Sequence, residues 1–380
     1  MIRVGFIGTG NVVVQNHIPG ILTHPQARIV ALADTSEASL SAAATAAAAH
    51  APRTFSKWQE IVDNHEVDAI VIATPNYLHK EIVLAAAAAG KHIMCEKPLA
   101  LDLDEALVMT KAAQAAGIVN MIAFTYRFVP AMRYMSKLIE DGFVGLPYHF
   151  RVNRLQDWGG RAVGWRQVRS LAGSGELGDM LSHRIDYAHF LIGPISRVVA
   201  MMKQYLSERT TADGKKQSSD VDDFVAFLCE FENGTTTGNF ESTKMAAGRG
   251  FYLHSQDYVE VNGSEGSLVY FLNQPHKLMV GKAGGDLESV DVPDALLKTA
   301  GSPRNPHEGD PLQVFRYDQS FEFIQAIIEK RPSSTDFAAG AQVQAVMDAI
   351  IESARSHSWV DVTSCKMSET KLITQSAGKR

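Results

Sequence analysis

Three side chains stand where they could act on a hydroxyl group: Lys97, Asp179 and His183. Lys97 follows closely on an apolar run, His92 to Cys95, and the strand ends of open α/β sheets are where such sheets hold ligands. An ammonium at that point can hold a substrate oxygen and stabilise alkoxide character as hydride departs. Asp179 and His183 are four residues apart, so on a helix they share a face and can meet one substrate. An imidazole titrates near neutrality and is the natural acceptor for the hydroxyl proton. The expected rate of oxidation therefore rises with pH through a histidine-like value. Asp179 would orient the substrate or tune the histidine. Residue type and spacing alone leave two plainer readings open, a solvated lysine and a polar pair on a helix surface.

A second constellation suits a phosphate-bearing ligand. Gly8-Thr9-Gly10 follows the run Arg3 to Ile7 and opens a helix-like segment, where main-chain N–H groups and the helix dipole favour a pyrophosphate. The dinucleotide pattern continues with Gly or Ala where this chain has Val13, which asks the helix to stand off slightly from the strand. Asp34 lies 21 residues beyond Val13, where an acid accepts hydrogen bonds from the adenosine ribose. Its charge would repel a 2′-phosphate, so NAD is expected over NADP.

These residues need a sheet to position them. Up to residue 123, short β-branched runs alternate with helix-like segments, the pattern of βαβ units and a parallel sheet buried on both faces. The strands are expected at Arg3 to Ile7, Arg28 to Ala33, Ala69 to Ala73, His92 to Cys95 and Val119 to Ala123. Asp102 and Glu105 form a capping pair for a helix over Leu103 to Ala116, with Gly117 at its end; another helix runs from His79 to Ala89. In the first helix, Asn11 to Leu22, Pro19 is expected to force a kink or an end. From residue 124 the alternation has period two, with Asn-Gly turns at Asn233 and Asn262, and reads as an antiparallel sheet. Helices are expected at 131–140, 178–191, 317–329 and 340–356, loops over 207–220 and 281–311, and a loose tail after Val362. Met201, Met202, Phe224, Phe227 and Phe231 are read as core. The fold class is thus α/β: a Rossmann dinucleotide-binding domain over 1–123, then an α+β domain with a large, mostly antiparallel open sheet over 124–380.

Composition narrows the partners. The chain has 380 residues, 46% of them apolar and 21% charged, so it can bury a large core. Thirty-six Lys and Arg against 42 Asp and Glu leave a net charge of −6, which gives no electrostatic reason to bind nucleic acid or an anionic membrane. Cys95, Cys229 and Cys365 are too scattered for a disulfide framework, and no apolar stretch is long enough for a membrane span. A cytoplasmic protein acting on a small molecule is expected. No histidine has metal-ligand spacing, and no metal is expected.

Four further segments carry a resemblance. Val71-Ile72-Ala73-Thr74-Pro75-Asn76-Tyr77-Leu78-His79, Ala89 to Leu99 with its Glu96-Lys97-Pro98, Thr125-Tyr126-Arg127-Phe128-Val129-Pro130, and Gly173 to Asp186 together resemble the glucose-fructose oxidoreductase and inositol dehydrogenase (Gfo/Idh/MocA) family. Leu155 to Trp158, Trp165-Arg166 and Glu241-Ser242-Thr243 are most similar to its bacterial sugar dehydrogenases. The resemblance implies Lys97, Asp179 and His183 as the catalytic set. It implies a cofactor site of Gly8, Thr9, Gly10, Asn11, Val12, Asp34, Thr35, Ala73, Thr74, Pro75, Asn76, His79, Glu96, Lys97 and Arg166. Substrate would meet Lys97, Tyr126, Arg127, Trp158, Arg161, Trp165, Asp179 and His183, although core packing is a rival role for the tryptophans. The implied activity is reversible NAD-dependent oxidation of a secondary hydroxyl of a sugar, glycoside or cyclic polyol. Two alternatives use the same architecture: an NAD-dependent glycosidase with the same Lys and His, and a non-catalytic sugar-responsive regulator, which has no need of the catalytic set. Family members usually pair through the second sheet, so a homodimer or homotetramer is expected.

Overall fold

A computed structural model describes residues 1–160, 164–211, 213–250 and 256–363. The first sheet is parallel and contains β1 (Ile2–Ile7), β2 (Ala27–Ala33), β3 (Arg53–Phe55), β4 (Ala69–Ile72), β5 (His92–Cys95) and β6 (Asn120–Ile122). Their order is β3-β2-β1-β4-β5-β6, so the winding reverses between β1 and β4 and opens a crevice at their carboxyl ends. All four residues of β4 are buried, as a strand covered on both faces requires. Between the strands run α1 (Ile18–Leu22), α2 (Glu37–Ala46), α3 (Gln59–Val62), α4 (His79–Ala88) and α5 (Leu103–Ala115). Asp102 caps α5 by accepting from the Glu105 N–H at 2.9 Å.

Pro19 does not end the first helix. A π turn over Val13–His17 precedes α1, and Pro19 falls in the first turn of α1, where its missing N–H costs nothing. Val13 is buried inside that wide turn.

The second sheet has the order β16-β15-β14-β13-β7-β12-β11-β8-β17. Its strands are β7 (Pro147–Leu155), β8 (Ile195–Lys203), β11 (Phe224–Phe231), β12 (Thr237–Thr243), β13 (Gln256–Gly263), β14 (Gly266–Phe271), β15 (Lys277–Lys282), β16 (Glu288–Asp291) and β17 (Val360–Asp361). All neighbours are antiparallel except β7 and β12, which run parallel. The 207–220 segment, expected as a loop, holds a small hairpin of β9 (Glu208–Thr210) and β10 (Lys216–Ser218). Likewise β16, within 281–311, pairs with β15 at the sheet edge; its residues Glu288, Ser289 and Asp291 are exposed and bury little apolar surface.

The remaining helices are α6 (Pro130–Glu140), α7 (Arg169–Ala172), α8 (Ser182–Leu191), α9 (Tyr317–Glu329) and α10 (Phe337–Ser356). α8 packs against β7 and α10, and nearly all its residues are buried. α9 and α10 return to the first sheet: α9 packs on α1, α10 on α5, and Thr335 exchanges main-chain and hydroxyl bonds with Ile122 at 2.7 and 2.8 Å. The chain's last third thus closes over its first. Cys95 and Cys229 are buried free thiols, while Cys365 and most of the expected tail lie outside the described residues. Among the described residues, no helix is long and apolar enough to cross a membrane.

The inward face of β11 carries Val225, Phe227, Cys229 and Phe231. The outward face of the sheet carries Met201, 50% exposed, Leu228, 49% exposed, and the partly exposed Phe224, so Met201 and Phe224 are not the core residues expected from hydropathy. β-Strand alternation turns both outward, Met201 opposite Ala226.

Candidate active site

The glycine turn sits where the crevice opens. Gly8 has φ +83°, and a Cβ there would lie 2.6 Å from the Ala73 carbonyl oxygen, so only glycine lets the turn reach the end of β4. At Gly10 the opposite holds: a Cβ would meet nothing within 4 Å, leaving open space above the main chain at the start of the first helix. That cradle fits a pyrophosphate. The Thr9 N–H and hydroxyl donate to Asp34 Oδ2 at 2.6 and 3.0 Å, and the Ser36 N–H donates to Oδ1 at 2.8 Å. Oδ1 therefore keeps a lone pair for a ribose hydroxyl. Asp34→Ala is expected to weaken NAD binding and to narrow the preference for NAD over NADP; equal efficiency of both cofactors with the unaltered protein would show that Asp34 does not discriminate. Thr35 is exposed beside it.

From this turn a cavity of about 650 Å³ runs between the two sheets. Its first-sheet wall includes Asn11, Val12, Ala73, Thr74, Asn76 and Glu96. The Glu96 carboxylate bonds His17 Nε2 at 2.7 Å and accepts the Lys97 N–H at 3.2 Å. Burial pushes the Glu96 carboxyl up, but His17 and then Lys97 outweigh it, so it stays ionised. Pro75 lies between the lining residues Thr74 and Asn76 but does not itself line the cavity.

At the far end stand Lys97, Asp179 and His183. The Lys97 ammonium donates to the Asp179 main-chain oxygen and, at 2.9 Å, to its carboxylate. Burial would raise the Asp179 carboxyl, yet Lys97 and then Arg166, 3.9 Å away, hold it well below the usual carboxylate range. A π turn over Leu177–Leu181 leads into α8; Asp179 turns to Lys97, and Asp179 and His183 both line the cavity. Asp222 anchors the start of this turn by accepting the Gly175 and Leu177 N–H groups at 2.7 and 2.8 Å. The His183 ring packs edge-on against Tyr126, centroids 4.7 Å apart. Burial, followed by Lys97, Arg184, Arg316 and Arg154, drives its pKa well below the ordinary value, so the ring is neutral. The Tyr126 phenol, raised by burial, is brought down to about 8 by Arg316, Arg154 and Arg184.

Trp158, Trp165 and Arg166 line the same cavity, with the Arg166 guanidinium 4.3 Å from the Trp165 ring centroid. Arg161 lies outside the described residues. Two expected site residues are elsewhere. His79 is fully enclosed, with Nδ1 3.1 and 3.2 Å from the Pro98 and Leu99 carbonyls and Nε2 3.1 Å from that of Thr74, so it braces the cofactor-side loops from behind. Arg127 turns away to the buried Asp186, with bonds of 2.6 to 3.0 Å, and lies over Phe190. A charge pair at the back of the site satisfies both groups, so neither reaches a ligand. Conversely, the cavity wall holds Arg154, Lys244 and Arg316, which motif reading passed over. Charged residues at the inward positions of alternating strands were the available signal for Arg154 and Lys244.

The profile described as "Oxidoreductase family, NAD-binding Rossmann fold" matches residues 2–124, and the GFO/IDH/MocA C-terminal domain profile matches 132–269. Levoglucosan dehydrogenase of Pseudarthrobacter phenanthrenivorans is 37% identical over 342 residues, 83% of this chain and 86% of that enzyme. The chain belongs to the Gfo/Idh/MocA family. A levoglucosan dehydrogenase solved with NADH and L-sorbose superposes with a TM-score of 0.87 at 34% identity, covering 97% of this chain and 100% of that one. Glucose-6-phosphate 3-dehydrogenase of Bacillus subtilis is 26% identical over 306 residues, 78% of this chain and 82% of that enzyme. This Gfo/Idh/MocA protein is accordingly an NAD-dependent oxidoreductase whose first sheet is the NAD-binding domain.

Proposed function

We propose that the protein reversibly oxidises a secondary hydroxyl of a sugar, glycoside or cyclic polyol. The observation that carries this reading is the convergence of Lys97, Asp179 and His183 at the end of the cavity opposite the glycine turn. NAD, when bound, supplies the hydride acceptor. The chain's own residues do the rest. Neutral His183 takes the hydroxyl proton; its Nδ1 is enclosed without a hydrogen-bond partner among the described residues, so the acceptor is Nε2. Lys97 donates to the same oxygen and stabilises the developing alkoxide, while Asp179 fixes the ammonium in position. Trp158 and Trp165 supply apolar surface for the carbon face of a ring.

A panel of sugars, glycosides and polyols with NAD, read by NADH absorbance, tests the reading. Release of aglycone without added NAD and without NADH accumulation would replace it by the oxidoreductive glycosidase.

The exposed Met201 and Leu228 on the outward face of the second sheet, with Val199 and Ala226 beside them, support the expected homo-oligomer. Light scattering at micromolar concentration should give a dimer or tetramer; a monomer overturns this part of the proposal.

A further inference from the structure

Two buried cations in the cavity wall away from the cofactor, Arg154 and Lys244, have no carboxylate to themselves. Arg154 of β7 and Arg184 of α8 both bond one carboxylate oxygen of Asp257, the first at 2.7 Å. Two guanidinium groups thus share one carboxylate, and all three side chains are at most 1% exposed. At the start of β11 a second buried carboxylate, Asp223, also has two cations beside it. Asp223 gives one oxygen to Arg209 and the other to the Tyr205 and Leu206 N–H groups at 2.8 and 2.9 Å. Lys244 comes no closer to Asp223 than 3.9 Å. Its side chain is only 8% exposed, it lines the cavity, and 3.9 Å is beyond hydrogen-bond distance. Arg316 lines the same cavity beside Tyr126.

Buried cations are ordinarily paired, because only a nearby anion offsets the loss of hydration. Arg154 and Ser242 are direct neighbours across β7 and β12, and Lys244 lies two residues further along the same inward face. Arg154 and Lys244 therefore point to one region of the cavity. The oxidised nicotinamide is itself a cation, so the cofactor does not supply the missing charge here. The nearby Glu176 is pushed up to about 7 by burial against the pull of Lys244, so at neutral pH it offers only part of a charge.

We propose that the sugar substrate carries an anionic group, a carboxylate or a phosphate, and that Lys244 and Arg154 hold it. This rests on the dehydrogenase reading of the same site and adds the substrate's charge class to it. The hydroxyl to be oxidised then meets Lys97 and His183, while the anion anchors the far end of the ring. Asp179 repels an anion from the Lys97 end, which gives the substrate one orientation.

The test compares matched neutral sugars, hexuronates and sugar phosphates with the NAD-loaded protein, measuring kcat/KM and, by calorimetry on the NADH complex, affinity. The expected result is a preference for one anionic class. A lost hydrogen bond to a charged group costs roughly 10- to 100-fold, so Lys244→Gln should shrink the anionic-to-neutral ratio by about that factor, and Lys244→Arg should restore most of it. Preference for hexuronate over phosphate, or the reverse, identifies which anion the site takes. Neutral sugars turned over as well as anionic ones, with a ratio indifferent to Lys244→Gln, would overturn the charge assignment and leave the dehydrogenase standing. Absence of turnover with selective calorimetric binding of an anionic sugar would do the opposite; absence of both would overturn the two together.

Discussion

His183→Ala is expected to slow single-turnover NADH formation by roughly 10²- to 10⁴-fold, the usual worth of a positioned general base, with NAD binding retained. The ring touches the cavity and Tyr126, not the glycine turn, which is why affinity for the cofactor should survive. Stopped-flow absorbance at saturating NAD reads the step directly. A rate close to the unaltered protein's would place the base elsewhere, and Asp186 could not take its place because Arg127 holds it. The structure also revises the pH expectation. Only neutral imidazole accepts the proton, and burial together with the surrounding Lys97, Arg184, Arg316 and Arg154 keeps His183 neutral far below its ordinary value. The rate of oxidation should therefore rise with pH only in the acid range and show no histidine-like step near neutrality.

Lys97→Met is the second large effect. It removes the donor that stabilises the alkoxide, a loss worth about 10²- to 10³-fold in kcat by analogy with an oxyanion-hole donor. It also strands the Asp179 carboxylate with Arg166 3.9 Å away as its nearest cation. Leaving a largely buried carboxylate short of its partner costs about 1–3 kcal/mol, so the melting temperature should fall as well. Adding Asp179→Asn removes the stranded charge. The double variant should regain stability in thermal melting and stay inactive. Recovery of activity along with stability would mean that Lys97 serves the fold alone.

Much of this architecture was legible in the chain because its signals are local. Continuous apolar runs marked the parallel strands, Asp102 with Glu105 marked α5, and the glycine turn with Asp34 marked the crevice. The misplaced residues fail for one shared reason. Arg127 meets Asp186, 59 residues away, and Arg154 meets Asp257, 103 residues away. A charged side chain reads the same in sequence whether or not it reaches the cavity, so only the packed structure separates Arg127, turned away with Asp186, from Arg154, which pairs with Asp257 and also lines the cavity. His79 is a similar case, since its partners are main-chain carbonyls that no motif encodes. The hairpins within 207–220 and 281–311 were hidden because their strands are short and polar.

The π turn ahead of α8 makes chain length itself a functional property of this segment. Asp222 pins its start at Gly175 and Leu177, and a Cβ at Gly175 would come 2.1 Å from the Asp222 carbonyl oxygen, so the anchor cannot slide. Each helical residue advances the chain by about 100°. Inserting one residue between the anchor and His183, where the π turn already takes up the slack, would rotate the imidazole out of the cavity by that angle while composition and hydropathy barely changed. Because α8 is buried on nearly every side and holds Arg184 and Asp186 in buried ion pairs, such a rotation would strand those charges as well. An insertion in this short stretch would thus cost activity and stability together, an outcome that a count of matching residues would never foresee.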